Sequence, residues 1–477
     1  MKHDLVVFVP GITGSRLTRD GKDMWELSKQ ALLQLRHPGR LLKDFQLPPG
    51  IGDARPEGPH ALRADHLIKA PDALPGLFTA LASRIGITPG YPDVRPALKG
   101  LHKDQFLPFP YDWRLSNRLS AADLQEKVER ALSLWRERAR TLYPGHDEPK
   151  VVFLCHSMGG LIARYYLEVL GGREIARTLV TIGTPHRGAA KTVKFLTGHA
   201  IDPHPGKGPV RDLVIGKVAE RYNPQVAELC RTFPSIAQLL PVYDAVREPG
   251  KTRLQPLEDV TVPELGSELV RDVFAFQREF TDAQERNEAD GKRPYKVYVL
   301  GGRNHPTVHG VILAPEKLDF PISLNDDQEW TGDGTVPEES AFAKWALDDM
   351  GDAIWNGYRH AGMAGEESVE MQLVNIFQGK SARETLAGGS DFGVEVPDLA
   401  VEGEPFEIVA VGAEADRGVR VRLSAPGQPE TPEVPLTPDG AGNLRGELVS
   451  AAGTWVLEVV ADHPRVVHRD VVLVAGG

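Results

Sequence analysis

The residues best suited to chemistry lie at 151–160, Val-Val-Phe-Leu-Cys-His-Ser-Met-Gly-Gly, an apolar run that breaks at a serine and is followed by a helical pattern over 161–170. This is the pattern of a nucleophile elbow, in which a serine stands in a strained turn between strand and helix and small neighbours let the helix approach. Ser157 takes the apex; Cys155 stands where a glycine is usual, and Gly159 and Gly160 partly compensate. A serine hydroxyl is a poor nucleophile unaided, so a base must take its proton and a carboxylate must orient the base. In this arrangement the chain order is serine, acid, histidine. The acid is expected at Asp333, in the loop Thr331-Gly332-Asp333-Gly334-Thr335, and the base at His360, just after the strand pattern 354–358. His305 and His309 precede Asp333 and are read as surface or supporting residues. Their spacing could suit a metal pair, but no further ligand cluster accompanies it, and neither a metal nor a cofactor is expected.

Acyl transfer through such a serine builds an oxyanion that needs fixed N–H donors. The backbone of Met158 supplies one, and Ile12 in the turn Pro10-Gly11-Ile12-Thr13-Gly14 is the candidate for the other. Cys155 is expected to be a packed thiol rather than a nucleophile. In the segment 109–114, Asp112 and Arg114 are expected to pair while Trp113 packs beneath the site, a structural role.

These residues need a scaffold, and the chain supplies its elements. Nearly continuous apolar runs at 5–9, 151–154, 178–182 and 296–300 have the texture of buried parallel strands. The segment 119–142 places Leu124, Val128, Leu132 and Trp135 at helical spacing. Alternation of such elements up to residue 377 predicts an α/β class, a mostly parallel sheet with helices on both faces. Two stretches interrupt it, about 15–103 and 191–294, and are read as cap insertions. The first holds Met24, Trp25, Leu27, Leu32, Leu33, Leu35, Leu77, Phe78 and Leu81, which fit core packing better than a lipid-facing groove. Beyond Gln378 the texture changes: Ala387-Gly388-Gly389-Ser390 reads as a linker, and β-rich runs at 406–411, 419–423, 444–449, 454–460 and 466–474 predict an immunoglobulin-like sandwich. The expected division is a catalytic domain over 1–385 and an accessory β-domain over 386–477.

Length and charge bound the possibilities further. The 477 residues are 41% apolar and 25% charged, a globular composition that excludes collagen-like and mostly disordered classes. A formal charge of −11 argues against nucleic acid and against attraction to anionic headgroups. No apolar run approaches a membrane span, the first apolar run is too short for a signal peptide, and two cysteines make no disulfide framework, so the protein is expected to be cytoplasmic.

Five motifs taken together resemble the lecithin:cholesterol acyltransferase family of α/β-hydrolases. They are Val7-Phe8-Val9-Pro10-Gly11-Ile12-Thr13-Gly14-Ser15, Pro110-Tyr111-Asp112-Trp113-Arg114, His156-Ser157-Met158-Gly159-Gly160, Gly183-Thr184-Pro185-His186-Arg187-Gly188 and Gly332-Asp333-Gly334-Thr335-Val336-Pro337. The resemblance covers about the first four fifths of the chain. It implies Ser157, Asp333 and His360 as catalytic residues and Ile12 and Met158 as oxyanion donors. The expected activity is cleavage or transfer of acyl groups of lipid esters, with transient membrane-surface contact through apolar caps. Two alternatives remain open: an amidase or peptidase using the same triad, and an effector or scaffold whose C-terminal β-domain docks a protein partner.

Overall fold

The computed structural model describes residues 3–25, 45–68, 91, 101–201, 209–289, 291–315, 317–322, 331–385, 392–397, 399–425, 431–462 and 466–475. Leu27, Leu32, Leu33, Leu35, Leu77, Phe78 and Leu81, and the linker at 387–390, lie outside them.

Six strands form the central sheet: β1 (Leu5–Val9), β2 (Phe106–Pro108), β3 (Val151–His156), β4 (Ala176–Ile182), β5 (Lys296–Gly302) and β6 (Ile354–Asn356). Their order is β6-β5-β4-β3-β1-β2, and every pairing is parallel. The class is α/β, as expected. The apolar runs make this sheet because both of its faces are buried: Val6 and Phe8 of β1 enter one core and Leu5, Val7 and Val9 the other, and β3 divides its residues likewise.

Helices α1 (Asn117–Leu142), α2 (Gly159–Glu168) and α3 (Ser267–Asn287) contribute Leu124, Val128, Leu132, Trp135, Leu161, Phe276 and Phe280 to one core. Helix α4 (Glu367–Phe377) lays Val369, Leu373 and Ile376 on the other. The Ser116 hydroxyl accepts from Arg118 N–H at 3.2 Å at the start of α1, answering one of the donors left open at a helix N-terminus. Helix α3 falls inside the second stretch read as a cap, yet Phe276 stacks on Tyr165 of α2 at 5.6 Å between centroids. That end of the insertion therefore helps cover the sheet. In the first insertion, Ser15–Arg19 pairs antiparallel with Lys22–Trp25 and Arg63–Leu67. Trp25 packs edge-on against Trp113 and Phe45, a core role.

The C-terminal strands form two sheets. One joins Gly393–Glu395, Phe406–Val411, Asn443–Leu448 and Thr437–Pro438, all antiparallel. The other orders Leu399–Val401, Val466–Ala475, Gly453–Ala461, Arg420–Ser424 and Val434–Pro435, with a parallel pair at its first edge. Ile408, Leu444, Leu457 and Val472 belong to the same apolar cluster as Val6, Phe8, Ile354 and Leu373. One core thus runs from the parallel sheet into the C-terminal strands. No described helix is long and apolar enough to cross a membrane.

Candidate active site

Strand β3 ends at His156, and Ser157 follows with φ 52°, a left-handed conformation that costs a side-chain-bearing residue energy. Helix α2 begins two residues later because Gly159 and Gly160 leave it room. A Cβ at Gly159 would come within 2.4 Å of the Val9 carbonyl oxygen, and one at Gly160 within 2.2 Å of Thr184 Oγ1. Cys155, where the usual glycine is missing, is wholly buried, and desolvation holds its thiol well above the ordinary range. It faces the packing as expected.

The structure brings Ser157, His360 and Asp333 together. His360 Nε2 lies 2.8 Å from Ser157 Oγ, and His360 Nδ1 lies 2.7 Å from Asp333 Oδ2. A carboxylate can only accept, so Nδ1 carries the proton and Nε2 presents its lone pair to the serine hydroxyl. The other carboxylate oxygen, Oδ1, accepts from Thr335 N–H at 2.9 Å and Val336 N–H at 2.7 Å, and His360 N–H donates to the Asp333 carbonyl at 2.9 Å. Asp333 is 1% exposed, so these bonds replace the solvation it has lost.

Gly183, at the end of β4, has φ 59° and lies against this pair; a Cβ there would sit 3.1 Å from His360 Nδ1 and 3.2 Å from Asp333 Oδ2. The sequence marked Gly183 only as part of a family motif. Its signal is a glycine directly after a buried strand. Lys191 Nζ donates to the Gly334 carbonyl at 3.0 Å and to Thr335 Oγ1 at 3.2 Å, tying down the acid loop. Desolvation lowers the ammonium to about 8, with Asp333 opposing that shift.

Ile12 lies in a turn closed by Gly14 N–H donating to the Gly11 carbonyl at 3.1 Å, with Thr13 at φ 63°. A Cβ on Gly11 would meet Ser157 Cβ at 2.8 Å, so the turn abuts the elbow. Ile12 and Met158 thus belong to the two backbone segments that flank Ser157.

A buried chain of hydrogen bonds, absent from the sequence reading, connects these segments. Gly11 N–H donates to Tyr91 Oη at 2.8 Å, and Tyr91 Oη lies 2.8 Å from His156 Nδ1. His156 Nε2 lies 3.0 Å from the His360 carbonyl oxygen. Because a carbonyl only accepts, Nε2 carries the His156 proton and Nδ1 accepts from the phenol. Desolvation and the neighbouring His360 lower His156 to about 3, so its imidazole is neutral. The Tyr91 backbone N–H also donates to Ile68, whose own N–H donates to Gly14, fixing the phenol to the same turn.

His305 and His309 are 1% and 3% exposed, which corrects a surface placement. His305 Nε2 donates to the Gly357 carbonyl at 2.8 Å, a support for the loop that leads to His360. Asp112 and Arg114 pair in the interior, as expected; the guanidinium also donates to the Phe45 and His60 carbonyls at 2.9 Å each, which offsets its desolvation. Trp113 Nε1 donates to the Ser15 carbonyl at 3.2 Å.

The lecithin:cholesterol acyltransferase family model matches residues 97–252, a segment that contains the motifs at 110–114, 156–160 and 183–188. The resemblance read from the motifs is borne out there. No curated protein matches the chain. Among solved structures, the Tle4–Tli4 complex aligns at 17% identity over 81% of this chain and 99% of that one, with a TM-score of 0.44. The Bacillus licheniformis lipase BlEst2 in its propeptide form aligns at 13% identity over 96% of this chain and 72% of that one, with a TM-score of 0.30.

Proposed function

We propose that this lecithin:cholesterol acyltransferase-like chain is a serine hydrolase that cleaves or transfers the acyl groups of lipid esters through an acyl-enzyme on Ser157. The observation that carries the reading is the unbroken line from Ser157 Oγ to His360 Nε2 and from His360 Nδ1 to Asp333 Oδ2, at 2.8 and 2.7 Å, with the serine on a left-handed elbow.

In this reading, Ser157 Oγ attacks the ester carbonyl as His360 Nε2 takes the hydroxyl proton. Asp333 keeps the imidazole in the Nδ1–H tautomer and stabilises the imidazolium that forms. The N–H groups of Ile12 and Met158 receive the oxyanion, a contribution on the order of a hundredfold in rate for each donor. Collapse of the tetrahedral intermediate expels the alcohol, which takes the proton from Nε2 and leaves the acyl group on Oγ. Water, or an acceptor alcohol, then attacks that ester with His360 again as base, and Ser157 is restored.

The test is labelling of the full chain by a fluorophosphonate, with Ser157→Ala as control, followed by mass spectrometry of lipids incubated with each protein. Labelling lost in the variant, together with new lysolipid or free fatty acid from the wild type alone, supports the reading. An unlabelled wild type overturns it. Ester and amide substrates of matched acyl length separate an esterase from an amidase. With a charge of −11, contact with a lipid surface would be apolar, and its signature is weak dependence on salt.

A further inference from the structure

Strand β6 is three residues long, and the segment that follows it carries His360 without regular structure to hold it. Its supports come from outside the parallel sheet. The ring of Tyr358 lies 4.9 Å from that of His468, and His468 lies 4.7 Å from Phe392. Arg359 Nε is 3.4 Å from Asp470 Oδ2, and an Arg359 guanidinium nitrogen donates to the Val394 carbonyl at 3.4 Å. His468 and Asp470 are two residues apart on the strand Val466–Ala475, so they project to one face. Both are buried, at 5% and 6% exposure. Backbone contact closes the junction: a Cβ on Gly393 would fall 2.1 Å from the Asn304 carbonyl oxygen, and His305 beside it donates to Gly357.

We propose that the C-terminal β-region is a working part of the active site, with Asp470 and His468 as positioning residues that hold Arg359 and Tyr358 and, through them, the imidazole of His360. The inference rests on the reading of His360 as the base. Its physical basis is geometric. Two consecutive residues before His360 are gripped by one strand more than a hundred positions downstream. Displacing a reacting group by about 1 Å costs on the order of a hundredfold in rate. Removing Asp470's charge leaves the partly buried Arg359 without its ion-pair partner and frees the segment to shift. The same geometry makes the C-terminal region a control point, because whatever moves the strand Val466–Ala475 moves the base.

The test uses the full chain and steady-state hydrolysis of p-nitrophenyl butyrate. Asp470→Asn and Arg359→Met should each lower kcat about tenfold, a partial form of that hundredfold cost, with KM changed less than about twofold. The double variant should be no slower than either single one, since both remove the same contact. Arg359→Lys should recover most of the rate by restoring the ion pair. Arg469→Gln, whose native side chain turns away to Glu458, should match the wild type. Folded Asp470→Asn with wild-type kcat, multiplicative losses in the double variant, or a loss confined to KM would each overturn the proposal. If Asp470→Asn does not fold, the Met and Lys variants at Arg359 decide between the same outcomes. A wild type that is labelled by fluorophosphonate while these variants are indifferent strikes the positioning role alone; an unlabelled wild type removes the base assignment and this role with it.

Discussion

Ser157 and His360 meet at 2.8 Å, yet the chain secures them by opposite means. Ser157 is fixed by its immediate neighbours: a six-residue strand before it, a ten-residue helix after it, and two glycines that let that helix seat against Val9 and Thr184. His360 follows a three-residue strand and is fixed from afar, by Asp333, His305, His468 and Asp470. A local motif suffices to hold a side chain at a strand's end. A loop residue needs partners brought by the tertiary fold, and each partner is a place where the geometry can be loosened.

The contrast can be broken at its strongest point by His360→Ala, which should cut kcat about 10⁴-fold for ester substrates while sparing most of the binding reflected in KM. On the elbow side, Gly11→Ala forces a methyl to within 2.8 Å of Ser157 Cβ. It should lower kcat on the order of a hundredfold by shifting the turn or the serine. Tyr91→Phe removes the phenol that joins Gly11 to His156. We expect kcat about tenfold lower, and a loss of roughly 1–3 kcal/mol in urea unfolding from the N–H and ring nitrogen left unpaired.

The two sides also share a sensitivity to acid. Burial lowers His156 on the elbow side and His468 on the base side to about 3, and His186 likewise. On acidification below about 6.5 the unfolded chain takes up these protons and the native one does not. Their contribution to stability is therefore complete above that pH and declines towards pH 3, by about 1.4 kcal/mol per pH unit for each histidine. Urea melts between pH 7 and pH 4 should show this slope. His468→Gln should remove one proton's worth of it.

Much of this organisation is legible in the residues themselves. The run 5–9 became a strand with those bounds, because five consecutive apolar residues suit a strand covered on both faces. Ser157, Asp333 and His360 could be nominated because each sits in or after a short motif with its own backbone logic. Tyr91 gave no such signal: it lies in a Pro- and Gly-rich stretch without periodicity, and its importance comes from a hydroxyl that reaches residues 80 and 65 positions away. His156 stands within the elbow motif, and nothing in the spacing marks its ring as the link between Tyr91 and the His360 carbonyl. Chain order sets His305 and His309 apart from the base, since both precede Asp333, but it does not tell how deeply they pack; desolvation lowers both, which keeps them neutral in the interior. Arg359 and Asp470 are 111 positions apart, and no pattern in one chain joins them.

The backbone at Ser157 carries one more consequence. A serine at φ 52° is a liability to the folded state that glycine would not incur. Replacing it with glycine should abolish turnover and yet leave a chain more durable than its parent, by roughly 1 kcal/mol. Urea melts of the two proteins would read that difference directly, and a glycine variant no more stable than its parent would show that the left-handed turn costs the fold little.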